Sequence, residues 1–347
     1  MTEPPDPSPP NGPPVVDPQP IVPWEPGPVP DSARPGLRTF SLEGRRAPGL
    51  YLVGWLGTIL GAALLIVAAL ARPGGAGGLV LGVIGTLLLA IGLVAAAGAQ
   101  GIDRRDRADL AYRGPSPFLV FAASVPLVVV IGLPFALVGL EPDSPIAALA
   151  SVSVTCAIWL TLVAMTVVGI GALSWRDVFV GWVDTPLVRI AGDLAIGAVA
   201  AVPVLLATTI LAAVLVSIMG VAPDPPIVIP PGGTGLLIGI LAAAVVAPIS
   251  EEIFYRGFAT TAWARSFGPT GAIVRGGLFF AAVHVLTIGG SEFEPAVRAA
   301  IVGFVVRLPV AFALGWIFVR RRSLPASIGL HAAYNGIAVL ITAAALG

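Results

Sequence analysis

Apolar residues run through this chain in blocks longer than a soluble helix needs. After a polar start they recur over 50–71, 78–98, 117–140, 147–173, 188–219, 234–262, 271–288, 296–319 and 325–346. A helix needs about 20 apolar residues to cross a hydrocarbon core of about 30 Å. The pattern therefore predicts an all-α polytopic bundle of eight or nine transmembrane spans. Two blocks, 188–219 and 234–262, are long enough to tilt, kink or emerge from the bilayer. Proline-rich turns, Ala222-Pro223-Asp224-Pro225-Pro226 and Ile229-Pro230-Pro231-Gly232-Gly233, separate some of the blocks.

Before residue 50 the pattern is different. Fourteen of the first 35 residues are proline, and large apolar residues are few. Such a segment buries too little surface to offset its ordering entropy, so residues 1–48 read as a disordered, partly polyproline arm. It is a solvated tail first and a ligand for a proline-recognising partner second. Residues 49–220 read as N-terminal transmembrane helices. Residues 221–347, the stretch in which polar residues enter the spans, read as the C-terminal part of the bundle.

Composition supports the membrane assignment. Charged residues make up 11% of the 347, against about 25% in a typical soluble domain. The formal net charge is zero, which argues against a nucleic-acid partner. All 19 basic residues are arginine, a bias expected of a GC-rich bacterial genome. With the N-terminus inside and nine spans, only Arg72 and Arg298 fall on the outer side and Arg307 within a span. That asymmetry predicts a cytoplasmic N-terminus in a bacterial cytoplasmic membrane. The single cysteine, Cys156, rules out an internal disulfide and a cysteine-based zinc site. It reads as a small core residue.

Chemistry concentrates in three late spans. An ionised group near a bilayer centre costs about 2.5–3.5 kcal/mol on insertion scales, so intramembrane charges point to function by default. In Ser250-Glu251-Glu252-Ile253-Phe254-Tyr255-Arg256, helical spacing puts Glu252 and Arg256 on one face as a pair. Glu251 is rotated by about 100° and left free for general-base work. The chain has only two histidines. His284 shares a face with Phe280, and its span follows the Glu251 span after the turn Gly268-Pro269, which makes the two antiparallel neighbours. His331 and Asn335 share a face of the last span, as a pair able to hold a polarised carbonyl oxygen.

Glu251-Glu252-x-x-x-Arg256, Phe280-x-x-x-His284 and His331-x-x-x-Asn335, in that order within spans of one membrane protein, resemble the CAAX protease and bacteriocin-processing family of intramembrane proteases. Type II CAAX prenyl endopeptidases are its eukaryotic relatives. The resemblance covers residues 234–346 and all three motifs match without substitution. It implies that Glu251 activates water, with His284 helping to position that water. It further implies that His331 and Asn335 stabilise the oxyanion, while Glu252 and Arg256 orient Glu251. The substrate it implies is a membrane-associated or lipidated peptide, or a membrane protein, matured or processed at the bilayer.

Metal use stays open at this level. Glu251, His284 and His331 would complete a catalytic zinc site with an open position for water, but the chain has no His-Glu-x-x-His helix. The same residues can also act without metal. Two readings from other classes compete with a protease. One is a proton- or ion-coupled transporter, for which Arg307 beside Pro309 fits a gated path. The other is a non-catalytic scaffold on the same helices. Asp193 reads as an interfacial residue paired with Arg189, four residues earlier.

Overall fold

A computed structural model describes residues 41–71, 76–137, 141, 144–221, 233–286, 288 and 293–346. The proline-rich arm up to residue 40, Arg72 and the two proline-rich turns between 222 and 232 lie outside the described residues. Among the described residues there is no strand, and eight helical runs are long and apolar enough to cross a bilayer. This is a multi-pass membrane protein.

The expected spans appear as α1 (Pro48–Ala71), α2 (Ala76–Arg104), α3 (Pro117–Leu137), α4 (Pro145–Val163) and α6 (Leu187–Met219), with a one-turn α5 (Trp175–Val178) before α6. The run then continues through α7 (Gly233–Ile240), α8 (Ala247–Glu252) and α9 (Thr261–Val283), and ends with α10 (Phe293–Arg321) and α11 (Leu324–Leu346). Prolines inside α3, α6 and α10 do not end those helices. Neighbouring helices re-satisfy freed backbone groups in such bundles. Three stretches are π-helical, Ala164–Val168, Leu241–Val246 and Ile253–Thr260. Cys156 is half-buried rather than fully in the core.

The expected spans 234–262 and 271–288 form one helical run of 51 residues, Gly233–Val283. At 1.5 Å per residue it would be about 76 Å long, far more than a bilayer holds. It is broken at Gly268, whose φ of 72° and ψ of 175° are open only to glycine, and Pro269 follows at once. Contacts across the break are antiparallel: Tyr255 packs on Phe280 with ring centroids 5.2 Å apart, and a Cβ on Gly276 would meet the Thr260 hydroxyl at 2.9 Å. The run is a helical hairpin. Its second arm ends at Val283, earlier than the pattern suggests, because His284 closes the helix as its C-cap.

The hairpin packs on α10, and α11 packs on α6. At the α6–α11 crossing two glycines face opposing backbones. A Cβ on Gly197 would lie 2.1 Å from the Ala326 carbonyl, and one on Gly329 the same distance from that of Leu194. Bare backbones therefore set this approach, as in other small-residue membrane packings. The core is aromatic where the hairpin meets α3 and α4: Trp159 stacks on Phe254 at 4.8 Å, and Phe279 meets Phe121 edge-on at 5.3 Å.

Arginines gather at one end of the bundle. Arg45 pairs with Asp103 at 2.9 Å, and Arg265 with Asp177 at 2.6 Å. Asp193 pairs with Arg321 at 3.0 and 2.6 Å. This replaces the expected Arg189 partner. Asp193 is buried against α10, whereas Arg189 stays exposed on α6. Arg298 lies at the other end, donating to the Met219 carbonyl at 3.5 Å.

Candidate active site

The last turn of α8 carries Glu251 and Glu252, and the π-helical stretch Ile253–Thr260 follows directly. Glu252 is fully buried and fully engaged. Its Oε1 accepts from Arg256 Nη1 at 3.0 Å and faces His331 Nδ1 at 2.9 Å, and its Oε2 accepts from the Ser327 hydroxyl. Arg256, equally buried, also donates to the Ala311 carbonyl at 3.2 Å and lies over the Phe280 ring at 4.5 Å. The expected pair is present, and it does more than neutralise one carboxylate. Glu252 ties α8 to α11, and Arg256 ties the following π-helical stretch to α10. Sequence reasoning missed Ser327, although the spacing Ser327-x-x-x-His331-x-x-x-Asn335 places it on the same α11 face.

Glu251 makes none of these bonds. Its Oε2 is buried and has no hydrogen-bond partner among the described residues. Both imidazoles face it: His284 Nε2 stands 3.5 Å away and His331 Nε2 3.9 Å. These are longer than direct hydrogen bonds. Each ring is anchored by its other nitrogen, His331 Nδ1 on Glu252 and His284 Nδ1 on the Phe280 carbonyl at 2.7 Å. An Nδ1 that faces an acceptor oxygen carries the proton. In the neutral rings, then, both Nε2 lone pairs turn toward Glu251. Phe280 lies between the histidines, with ring centroids 4.3 Å from His284 and 5.6 Å from His331.

Asn335 sits one turn beyond His331 and donates from Nδ2 to the Ala243 carbonyl at 2.9 Å. Ala243 belongs to the π-helical stretch Leu241–Val246. Such bulges recur at functional sites because they re-aim backbone groups, and no periodicity in the sequence marks this one.

The donor set fits a zinc ion poorly. Ligands about 2.1 Å from a tetrahedral zinc lie about 3.4 Å from one another. The Glu251–His284 separation meets that and the Glu251–His331 separation does not. Among the described residues no group of three or more His, Cys, Asp or Glu side chains is placed to hold a metal ion.

Residues 233–337 match the type II CAAX prenyl endopeptidase Rce1-like family. No curated protein and no solved structure matches the chain. The matched stretch begins with α7, contains both arms of the hairpin and ends two residues after Asn335, so it holds every side chain of the site just described. The likeness is to a family of CAAX-type intramembrane proteases and spans 105 of the 347 residues of this membrane protein, less than half of the chain.

Proposed function

We propose that the protein is an intramembrane endopeptidase in which Glu251 activates water against a peptide carbonyl. The observation that carries this reading is Glu251 Oε2, buried and unpartnered, with two anchored imidazoles turned toward it at 3.5 and 3.9 Å. Contacts of that length suit a bridging water. Glu251 takes a proton from the water as its oxygen bonds to the carbonyl carbon. The resulting oxyanion is held by His331 and Asn335. The Glu251 proton then passes to the leaving nitrogen as the C–N bond breaks, with no covalent enzyme intermediate.

Anchoring supports these roles. To hold an oxyanion while Nδ1–H stays on Glu252, His331 needs a proton on each ring nitrogen. In that form His331 donates Nδ1–H to Glu252 and Nε2–H to the oxyanion. Ala243 holds one Asn335 N–H and so orients the amide, leaving its second N–H for the same oxygen. His284 positions the water, and Phe280 shields both rings.

The substrate class that follows is a membrane-associated or lipidated peptide, or a membrane protein, in a bacterial cytoplasmic membrane with the arginine-rich end inside. The test compares proteomes of membranes carrying wild type or Glu251→Gln. Peptides cut only by the wild type support the proposal. Identical peptide sets, or proton flux into vesicles without any peptide product, overturn it.

A further inference from the structure

A second cavity shares no lining residue with the Glu251 site. At the arginine-rich end, a cavity of about 640 Å³ sits across α2, between α1 and α3. Its volume is within the range of small-molecule sites, about 300–1,000 Å³. Leu93 and Ala96 of α2 and Leu119 of α3 give it an apolar wall, and Arg45, Asp103, Arg104 and Arg107 line its polar part.

The charges of that polar part do not cancel. Arg45 pairs with Asp103 at 2.9 Å and Arg107 with Asp109 at 2.5 Å. Arg104 is half-buried, donates to the Gly114 carbonyl at 3.1 Å and has no acidic partner among the described residues. A guanidinium has five N–H donors, so most of its capacity is uncommitted. The Tyr51 hydroxyl, on the same cavity, is buried without a hydrogen-bond partner among the described residues. One uncompensated cation and a spare hydroxyl, set above an apolar wall, call for a singly charged anion with an apolar continuation.

We propose that this cavity binds the phosphodiester of an anionic phospholipid, with the start of one acyl chain along Leu93 and Leu119. A phosphodiester carries the one negative charge that Arg104 lacks. Basic pockets between membrane helices near the interface hold such headgroups. The surroundings favour a lipid over a soluble anion. α1 presents Leu52, Leu56, Ile59 and Leu60 outward, so a ligand here arrives from the bilayer, and free phosphate would gain nothing from the apolar wall.

The test uses the full chain, delipidated in dodecylmaltoside, with binding of dioleoylphosphatidylglycerol and dioleoylphosphatidylcholine read by native mass spectrometry. Wild type should retain one phosphatidylglycerol per chain, at least about fivefold tighter than phosphatidylcholine. Arg104→Gln should remove that preference, and Leu119→Trp, which fills the wall without touching the charge, should weaken both lipids. Unchanged retention in a folded Arg104→Gln overturns the proposal. If Arg104→Gln does not fold, unchanged retention in Leu119→Trp overturns it instead. Displacement by millimolar inorganic phosphate would mean a soluble-anion site. Failure of the full chain to take up phosphatidylglycerol at all, as when its own acidic N-terminal residues fill the cavity, also counts against it.

Discussion

Arg256→Met tests whether the buried carboxylate at 252 positions the His331 ring. The substitution keeps much of the side-chain volume but removes the only guanidinium on Glu252 among the described residues, leaving it Ser327 and His331 as partners. Arg256 and Glu252 are 1% and 0% exposed, so solvent screening gives no relief. Breaking such a pair costs about 3–5 kcal/mol, and the lost bond to the Ala311 carbonyl adds about 1 kcal/mol. Equilibrium unfolding in mixed SDS–dodecylmaltoside micelles, followed by tryptophan fluorescence, measures this. Glu252→Gln should cost a similar amount by stranding Arg256. The double variant Glu252→Gln/Arg256→Met leaves no charge stranded, so it should be less destabilised than the two costs combined, by about 2 kcal/mol or more. Its stability should recover while its activity does not. The charged acceptor behind His331 is gone, and loss of such a supporting partner lowers activity by about 10- to 100-fold. Single costs that add to within about 0.5 kcal/mol, or a double variant with full peptidase activity, would refute the coupling of ion pair and site.

Asn335→Ala should lower kcat by about 10²- to 10³-fold with little change in KM, as loss of an oxyanion donor does; a pure KM effect would place Asn335 in substrate binding instead. Gly329→Ala should destabilise the protein by about 1–3 kcal/mol, because its Cβ meets the Leu194 carbonyl at 2.1 Å. Gly336→Ala, seven residues on, meets only the Ala244 Cβ at 3.5 Å and should stay within about 0.5 kcal/mol. Acid should weaken the Asp177–Arg265 contact. Burial pushes the Asp177 carboxyl up, but bonds from the Ser174 N–H and hydroxyl, together with the Arg265 guanidinium, outweigh it and hold the group below its ordinary range. Its stabilisation is therefore present above the unfolded value of about 3.9 and is lost as pH falls through the lower folded value. Because the pair is about a third exposed, the loss is at most about 1 kcal/mol. Asp177→Asn should flatten that part of the stability–pH curve.

Local relations were legible in the sequence because helix geometry is local. Span length follows from apolar run length, and the Gly268-Pro269 turn marks the hairpin. The 3.6-residue repeat pairs Glu252 with Arg256 and leaves Glu251 apart. What the repeat cannot supply is the rotation of each helix about its axis. In a soluble helix the apolar face points to the core, but here both lipid and core are apolar, so the pattern carries no such pointer. Only the packed bundle decided that His331 Nδ1 meets Glu252 while its Nε2 faces Glu251. It likewise decided that Ser327 closes the other carboxylate oxygen, and that Asp193 reaches Arg321 instead of Arg189. The sequence by itself determined which segments can cross a membrane and which of their polar residues share a helix face. Tertiary contact, through glycine crossings and π-helical offsets that no periodicity announces, determined which of them meet.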